Sequence, residues 1–164
     1  MSTGNIHPMV SVDDVERAQK EWADGIVSIS RAYANGANYV ELATNLINHL
    51  YAYQIGPVMF KPTLAVQEQF RPTLESALSY FVASNEDCPE DEGFAIKGWT
   101  DVRFENHMVT ADAGSALAMG NYFFTDHKGH EVKVEYTFGY IEDANSNLRI
   151  QLHHSSIPAA GARD

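Results

Sequence analysis

The segment from Leu148 to Pro158, LRIQLHHSSIP, holds the residues best suited to chemistry. Read as a β-strand with simple alternation, it sets Leu148, Ile150 and Leu152 on one face and Arg149 and Gln151 on the other. Continued by two, the inner face gains His154 and then Ser156. An apolar face that turns polar at its end lines a cavity more often than not, because inward polar atoms need partners. An imidazole titrates near neutrality, so His154 beside the Ser156 hydroxyl suits a general base next to a hydrogen-bond donor. A register shifted by one residue would substitute His153 and Ser155. The purely structural alternative is a buried histidine satisfied by a backbone carbonyl.

Other chemistries find less support. His153 and His154 are strand neighbours, which point to opposite faces and cannot share one ion. His7, His49, His107, His127 and His130 show neither H-x-H nor H-x3-H spacing. No G-x-S-x-G elbow, Walker loop or dinucleotide fingerprint is present, so acyl hydrolysis and nucleotide binding lack a motif. Tyr80, beside Phe81, would need a polar partner for its hydroxyl if its ring faced a sheet.

Periodic segments must position these groups. Ser11 followed by Val12-Asp13-Asp14 opens a helix, and Val15, Ala18, Trp22, Ile26, Ile29 and Tyr33 carry it to Asn35-Gly36. Tyr39, Leu42, Ala43, Leu46, Ile47 and Leu50 mark a second amphipathic helix. VMFKPT reads as an irregular or extended connector, since Pro57 and Pro62 each disfavour helix just before them. A third helix runs from Pro72-Thr73 through Phe81 into an acidic loop, Glu86 to Glu92, read as a solvated charge run. From Gly93 the period changes from helix to strand, with turns at Asp112-Gly114, Asp126-Gly129 and Asp143-Asn147, giving a meander of about four strands. In HEVKVEYTFGY, Val132, Val134, Tyr136, Phe138 and Tyr140 share one face. The fold class is α+β: N-terminal helices packed against a C-terminal antiparallel sheet, within a single domain over 1–164.

Composition narrows the function. The 164 residues are 45% hydrophobic and 20% charged, typical of a folded domain. A formal charge of -11 repels phosphate backbones and anionic headgroups, so neither nucleic acid nor membrane is an expected partner. The lone Cys88 permits no intrachain disulfide, and no apolar run approaches the roughly 18 residues of a membrane span. If the chain is full length, a cytoplasmic location is expected.

Behind the two N-terminal helices, FKPTLA, EQFRPT, SYFV, ALAMGNYFFTD, VEYTFGY and LHHSSIP follow in order. Together they resemble the nuclear transport factor 2 fold, and the closing segment is similar to that of the calcium/calmodulin-dependent kinase II association domain. The combination is most similar to the iota-class carbonic anhydrases, over about residues 8 to 158. This resemblance implies a strongly curved sheet closed into a cone with one pocket, reversible hydration of CO2 to bicarbonate, and homodimers through the sheet. It places the pocket hydroxyls and imidazole on Thr63, Tyr80, His154 and Ser156. No metal is expected, with Mn or Zn left open, because the family has members of both kinds. Two rivals remain: a non-catalytic oligomerisation or small-ligand-binding module, and a lyase or isomerase using a carboxylate base. The second is disfavoured because no carboxylate falls on the inner faces assigned to the last two strands.

Overall fold

The computed structural model describes residues 9–160; residues 1–8, including His7 and Pro8, and 161–164 lie outside them. Helix α1 (Val12–Ala34) starts in a capping box, with the Ser11 hydroxyl accepting from the Asp14 N–H and the Asp14 carboxylate accepting from the Ser11 N–H. Its buried face carries Val15, Trp22, Ile26 and Ile29. Helix α2 (Tyr39–Leu50) buries Ala43, Ile47 and Leu50. Helix α3 (Leu74–Val82) is capped by Thr73 and presents Tyr80 and Phe81 inward.

The helices cover one face of a five-stranded sheet: β1 (Met59–Lys61), β2 (Trp99–Ala111), β3 (Ser115–Asp126), β4 (Glu131–Glu142) and β5 (Leu148–Ser156), ordered β1-β5-β4-β3-β2. The meander and its turns fall where the periodicity puts them. The connector VMFKPT differs in one respect: its centre forms β1, parallel to the end of β5, and the flanking prolines confine that edge strand to three residues.

Curvature comes from irregular pairing. Strand β2 shifts register between Trp99 and Asp101 and again between Asn106 and Met108. In β5, Ile150 pairs with Tyr140 and Leu152 with Gly139, leaving Gln151 as an extra, unpaired residue. That bulge corrects the expectation built on simple alternation. Ile150 and His153, three apart, both face the core, so His153 and Ser155 are buried while His154 is exposed and Ser156 only partly covered. His154 and Ser156 therefore stand on the outer face, where the Ser156 hydroxyl donates to Glu135.

Where β2 bulges near Asn106, its partner strand needs a residue without a side chain. Gly120 pairs with Asn106 at the β2 bulge, and a Cβ there would lie 2.1 Å from the Glu105 carbonyl oxygen and 2.8 Å from the Tyr136 hydroxyl. Gly120→Ala is expected to cost about 1–3 kcal/mol in urea unfolding, through displaced backbone rather than lost contacts.

Candidate functional site

The inner faces of β1, β3, β4 and β5 meet at His153. Its register neighbours are Phe60 on β1 and Phe138 on β4, and both rings stack on the imidazole, with centroids at 4.7 and 4.1 Å. Trp22 from α1 closes a third side edge-on. Two tyrosines saturate the ring in its plane: Nδ1 lies 2.8 Å from the Tyr51 hydroxyl and Nε2 3.1 Å from the Tyr122 hydroxyl. His153 is 2% exposed. Burial holds its pKa well below the usual 6.5, so the ring is neutral at physiological pH.

From His153 a run of hydroxyls leads outward. Tyr122 lies 2.5 Å from Ser155 Oγ, and Ser155 Oγ 2.6 Å from Thr63 Oγ1. Beyond Thr63, the Leu64 N–H donates to the Tyr80 hydroxyl over 3.3 Å. Burial raises the pKa of Tyr80, partly offset by the Leu64 N–H and the Thr63 hydroxyl; it raises Tyr122 likewise, partly offset by Ser155. Both phenols therefore stay protonated, as hydrogen-bond donors. Lys61 Nζ donates to the Ser155 carbonyl over 3.0 Å and fixes the strand end that carries the serine.

Thr63 and Leu64 lie on the segment between β1 and α3, which has no regular structure and is held from outside. The Glu90 carboxylate accepts the N–H groups of Val66, Gln67 and Glu68, each at 2.7 Å. Arg71, fully buried, makes two bonds to Asp91 at 2.6 and 2.7 Å and donates to the Glu68 and Ser76 carbonyls. The acidic loop is thus not merely solvated: Glu90 and Asp91 are structural anchors. Between loop and segment opens a cavity of about 360 Å³ whose lining mixes Leu64, Tyr80 and Phe94 with the charged Glu90, Asp91 and Lys97.

Of the four residues expected at the site, Thr63 and Tyr80 lie on either side of Leu64, whose N–H bonds the Tyr80 hydroxyl, while His154 and Ser156 face outward and their neighbours His153 and Ser155 face the core. Sequence reasoning missed Tyr51, Tyr122 and the polar use of Trp22, because aromatic residues at core spacing look alike whether or not their hydroxyls are bonded. A partial signal exists on the inner face of β3, where Ala116, Ala118 and Gly120 precede Tyr122: small residues leave room that a polar side chain can share. Among the described residues, no group of three or more His, Cys, Asp or Glu is placed to hold a metal ion.

Known proteins match the chain in sequence and in fold. A family model for metal-independent carbonic anhydrase matches residues 13–157. A metal-independent carbonic anhydrase from Nostoc sp. (strain PCC 7120) is 39% identical over 161 residues, spanning 96% of this chain and 78% of the relative. The crystal structure of an iota-carbonic anhydrase from a cyanobacterium, complexed with bicarbonate, superposes with a TM-score of 0.92 at 36% identity, covering 98% of this chain and 100% of that one. A structure from Xanthomonas campestris, described as a calcium/calmodulin-dependent protein kinase II association domain, shares the fold alone, at TM-score 0.65 and 20% identity over 92% of this chain and 91% of its own.

The neutral His153 makes stability depend on pH. Its folded pKa lies below its unfolded value, so below about pH 6.5 the unfolded chain binds an extra proton and stability falls with pH. Between pH 7 and pH 5 this group should remove about 1–2 kcal/mol from the unfolding free energy. His153→Gln, though less stable at pH 7, should lose correspondingly less over the same interval in urea titrations.

Proposed function

The chain belongs to the metal-independent carbonic anhydrase family and catalyses the reversible hydration of CO2 to bicarbonate; we propose that the reaction runs on Thr63, Tyr80, Ser155 and His153. The observation that carries this assignment is the hydroxyl run Thr63–Ser155–Tyr122, ending on a buried neutral imidazole. It supplies fixed donors in a setting of phenyl rings, where hydrogen bonds to a developing anion gain strength. CO2 is uncharged, so the -11 surface neither steers nor repels it, while the same field helps expel bicarbonate.

In the hydration direction, water held by Thr63, Ser155 and Tyr80 attacks the carbon. One C–O bond forms, one π pair of CO2 moves onto oxygen, and one water proton leaves. Prior deprotonation of water by an imidazole is uphill by about nine pKa units, or roughly 12 kcal/mol. The proton therefore departs as the new bond forms, when the attacking oxygen has become acidic. Burial disfavours an imidazolium at His153, so that residue orients Tyr122 and Ser155, and the proton passes to solvent through the cavity at Tyr80. Without a metal-bound hydroxide, turnover should lie well below the about 10⁶ per second of zinc enzymes.

We read the described chain as one catalytic domain that forms a homodimer. On the outer face of the sheet, Met108 stands opposite Met119, and Met108, Leu117 and Met119 are each more than half exposed. An exposed apolar face of this kind suits a second copy of the chain. The lone Cys88 is free and buried, in keeping with a reducing, cytoplasmic setting. Among the described residues, no helix is long and apolar enough to cross a membrane.

Stopped-flow CO2 hydration on chelator-treated protein tests the site. Ser155→Ala, Thr63→Ala and Tyr80→Phe should each lower kcat/KM by about 100-fold, whereas His154→Ala and Ser156→Ala should stay within about twofold of wild type. Full activity in Ser155→Ala, or a large loss in Ser156→Ala, sinks the assignment. Sedimentation of Met119→Glu against wild type checks the second reading, with a shift from dimer to monomer as the expected result.

A further inference from the structure

Trp22 is buried at the centre of the helix layer, and its indole N–H lies 3.1 Å from the Tyr51 hydroxyl. An indole can only donate, so the Tyr51 oxygen accepts. The single proton of Tyr51 then has one other partner among the described residues, Nδ1 of His153. A neutral imidazole that accepts at Nδ1 carries its proton on Nε2 and donates to the Tyr122 oxygen. Tyr122 in turn has one remaining partner, Ser155 Oγ, and Ser155 has one remaining partner, Thr63 Oγ1. Each group receives one hydrogen bond and passes one on, so the direction chosen at Trp22 reaches Thr63 intact.

We infer that Trp22 is a positioning residue that fixes His153 in its Nε2–H tautomer and thereby aims every hydroxyl as far as Thr63 toward the pocket. This rests on the proposed site at Thr63 and Ser155. Reversing the chain would leave the Tyr51 proton pointing at a donor and turn the Thr63 hydroxyl inward as donor to Ser155, so the pocket would lose a fixed donor where negative charge develops. The low pKa of the buried imidazole supports the same state, because a doubly protonated ring would put a proton against Tyr51.

The experiment is long-range proton–nitrogen NMR on the His153 ring, combined with CO2 hydration kinetics, for wild type, Trp22→Phe and Tyr51→Phe. Wild type should show one tautomer, protonated at Nε2. Either variant should introduce the Nδ1–H form and lower kcat by about tenfold or more with little change in KM, in line with losses seen when a supporting bond to a functional histidine is removed. A purely structural Trp22 would lower stability yet leave tautomer and kcat unchanged in the folded protein, and that result overturns the inference. So does an Nδ1–H tautomer in wild type. If Trp22→Phe fails to fold, Trp22→His, which keeps a ring N–H, compared with Trp22→Leu, which has none, decides between the same outcomes, with tautomer and kcat kept only in the variant that can donate. A wild type without CO2 turnover but with an Nε2–H ring that Trp22→Phe disturbs would overturn the catalytic assignment and leave the tautomer control standing.

Discussion

An imidazole stacked between two phenyl rings and bonded at both nitrogens leaves its neighbours little freedom. Phe60 and Phe138 bring β1 and β4 to either side of His153, while Tyr51 and Tyr122 reach it from the segment after α2 and from β3. These elements around β5 therefore converge on a single ring, and each is held by a contact that a small displacement would break. Burying such a polar group is costly unless both nitrogens find partners. The same bonds that meet this requirement carry the order outward to Ser155 and Thr63, so stability of the core and geometry of the site rest on one set of contacts.

In the proposed reaction this arrangement substitutes fixed donors for the Lewis acid that a metal provides elsewhere. A metal lowers the pKa of water before attack; hydroxyls cannot, and they act only on charge that develops as the new bond forms. Their contribution thus depends on being aimed in advance, since a hydroxyl free to rotate would lose part of its effect to reorganisation. Both phenols stay protonated and the imidazole stays neutral because burial disfavours their charged forms. The aromatic packing around His153 and the hydroxyl donors are parts of one design.

Much of the fold was legible in the chain. The capping signal at Ser11, the helical spacing through Trp22 and Ile26, and the alternation from Val134 to Tyr140 each report burial directly, because local geometry repeats with a fixed period. Thr63 and Tyr80, the two expected site residues that the fold places near each other, were reached through the motifs around them. The histidine was not, because alternation predicts a face only while the pairing is regular. One extra residue at Gln151 reverses the parity for everything after it, and the bulge depends on Gly139 and Tyr140, which are distant in sequence. The hydroxyl order was also hidden, since it follows from which partner each proton lacks, and that is a property of the assembled core.

Thr63 raises a sharper requirement, since it sits on a segment with no ladder to hold it. The catalytic role proposed for its hydroxyl requires placement to a fraction of an ångström, and irregular backbone is ordinarily mobile. Here the segment is bonded at three successive N–H groups by Glu90 and anchored downstream by the Arg71–Asp91 pair. A buried ion pair adds little net stability compared with apolar packing of equal volume. What it adds is directionality: the planar guanidinium meets the carboxylate in one geometry and also bonds the Glu68 and Ser76 carbonyls. Apolar side chains could fill the same space in several ways, whereas this pair fixes the distance between the segment and α3, and with it the separation of Thr63 from Tyr80. The acidity of the loop thus serves position, because its carboxylates hold the segment that carries Thr63.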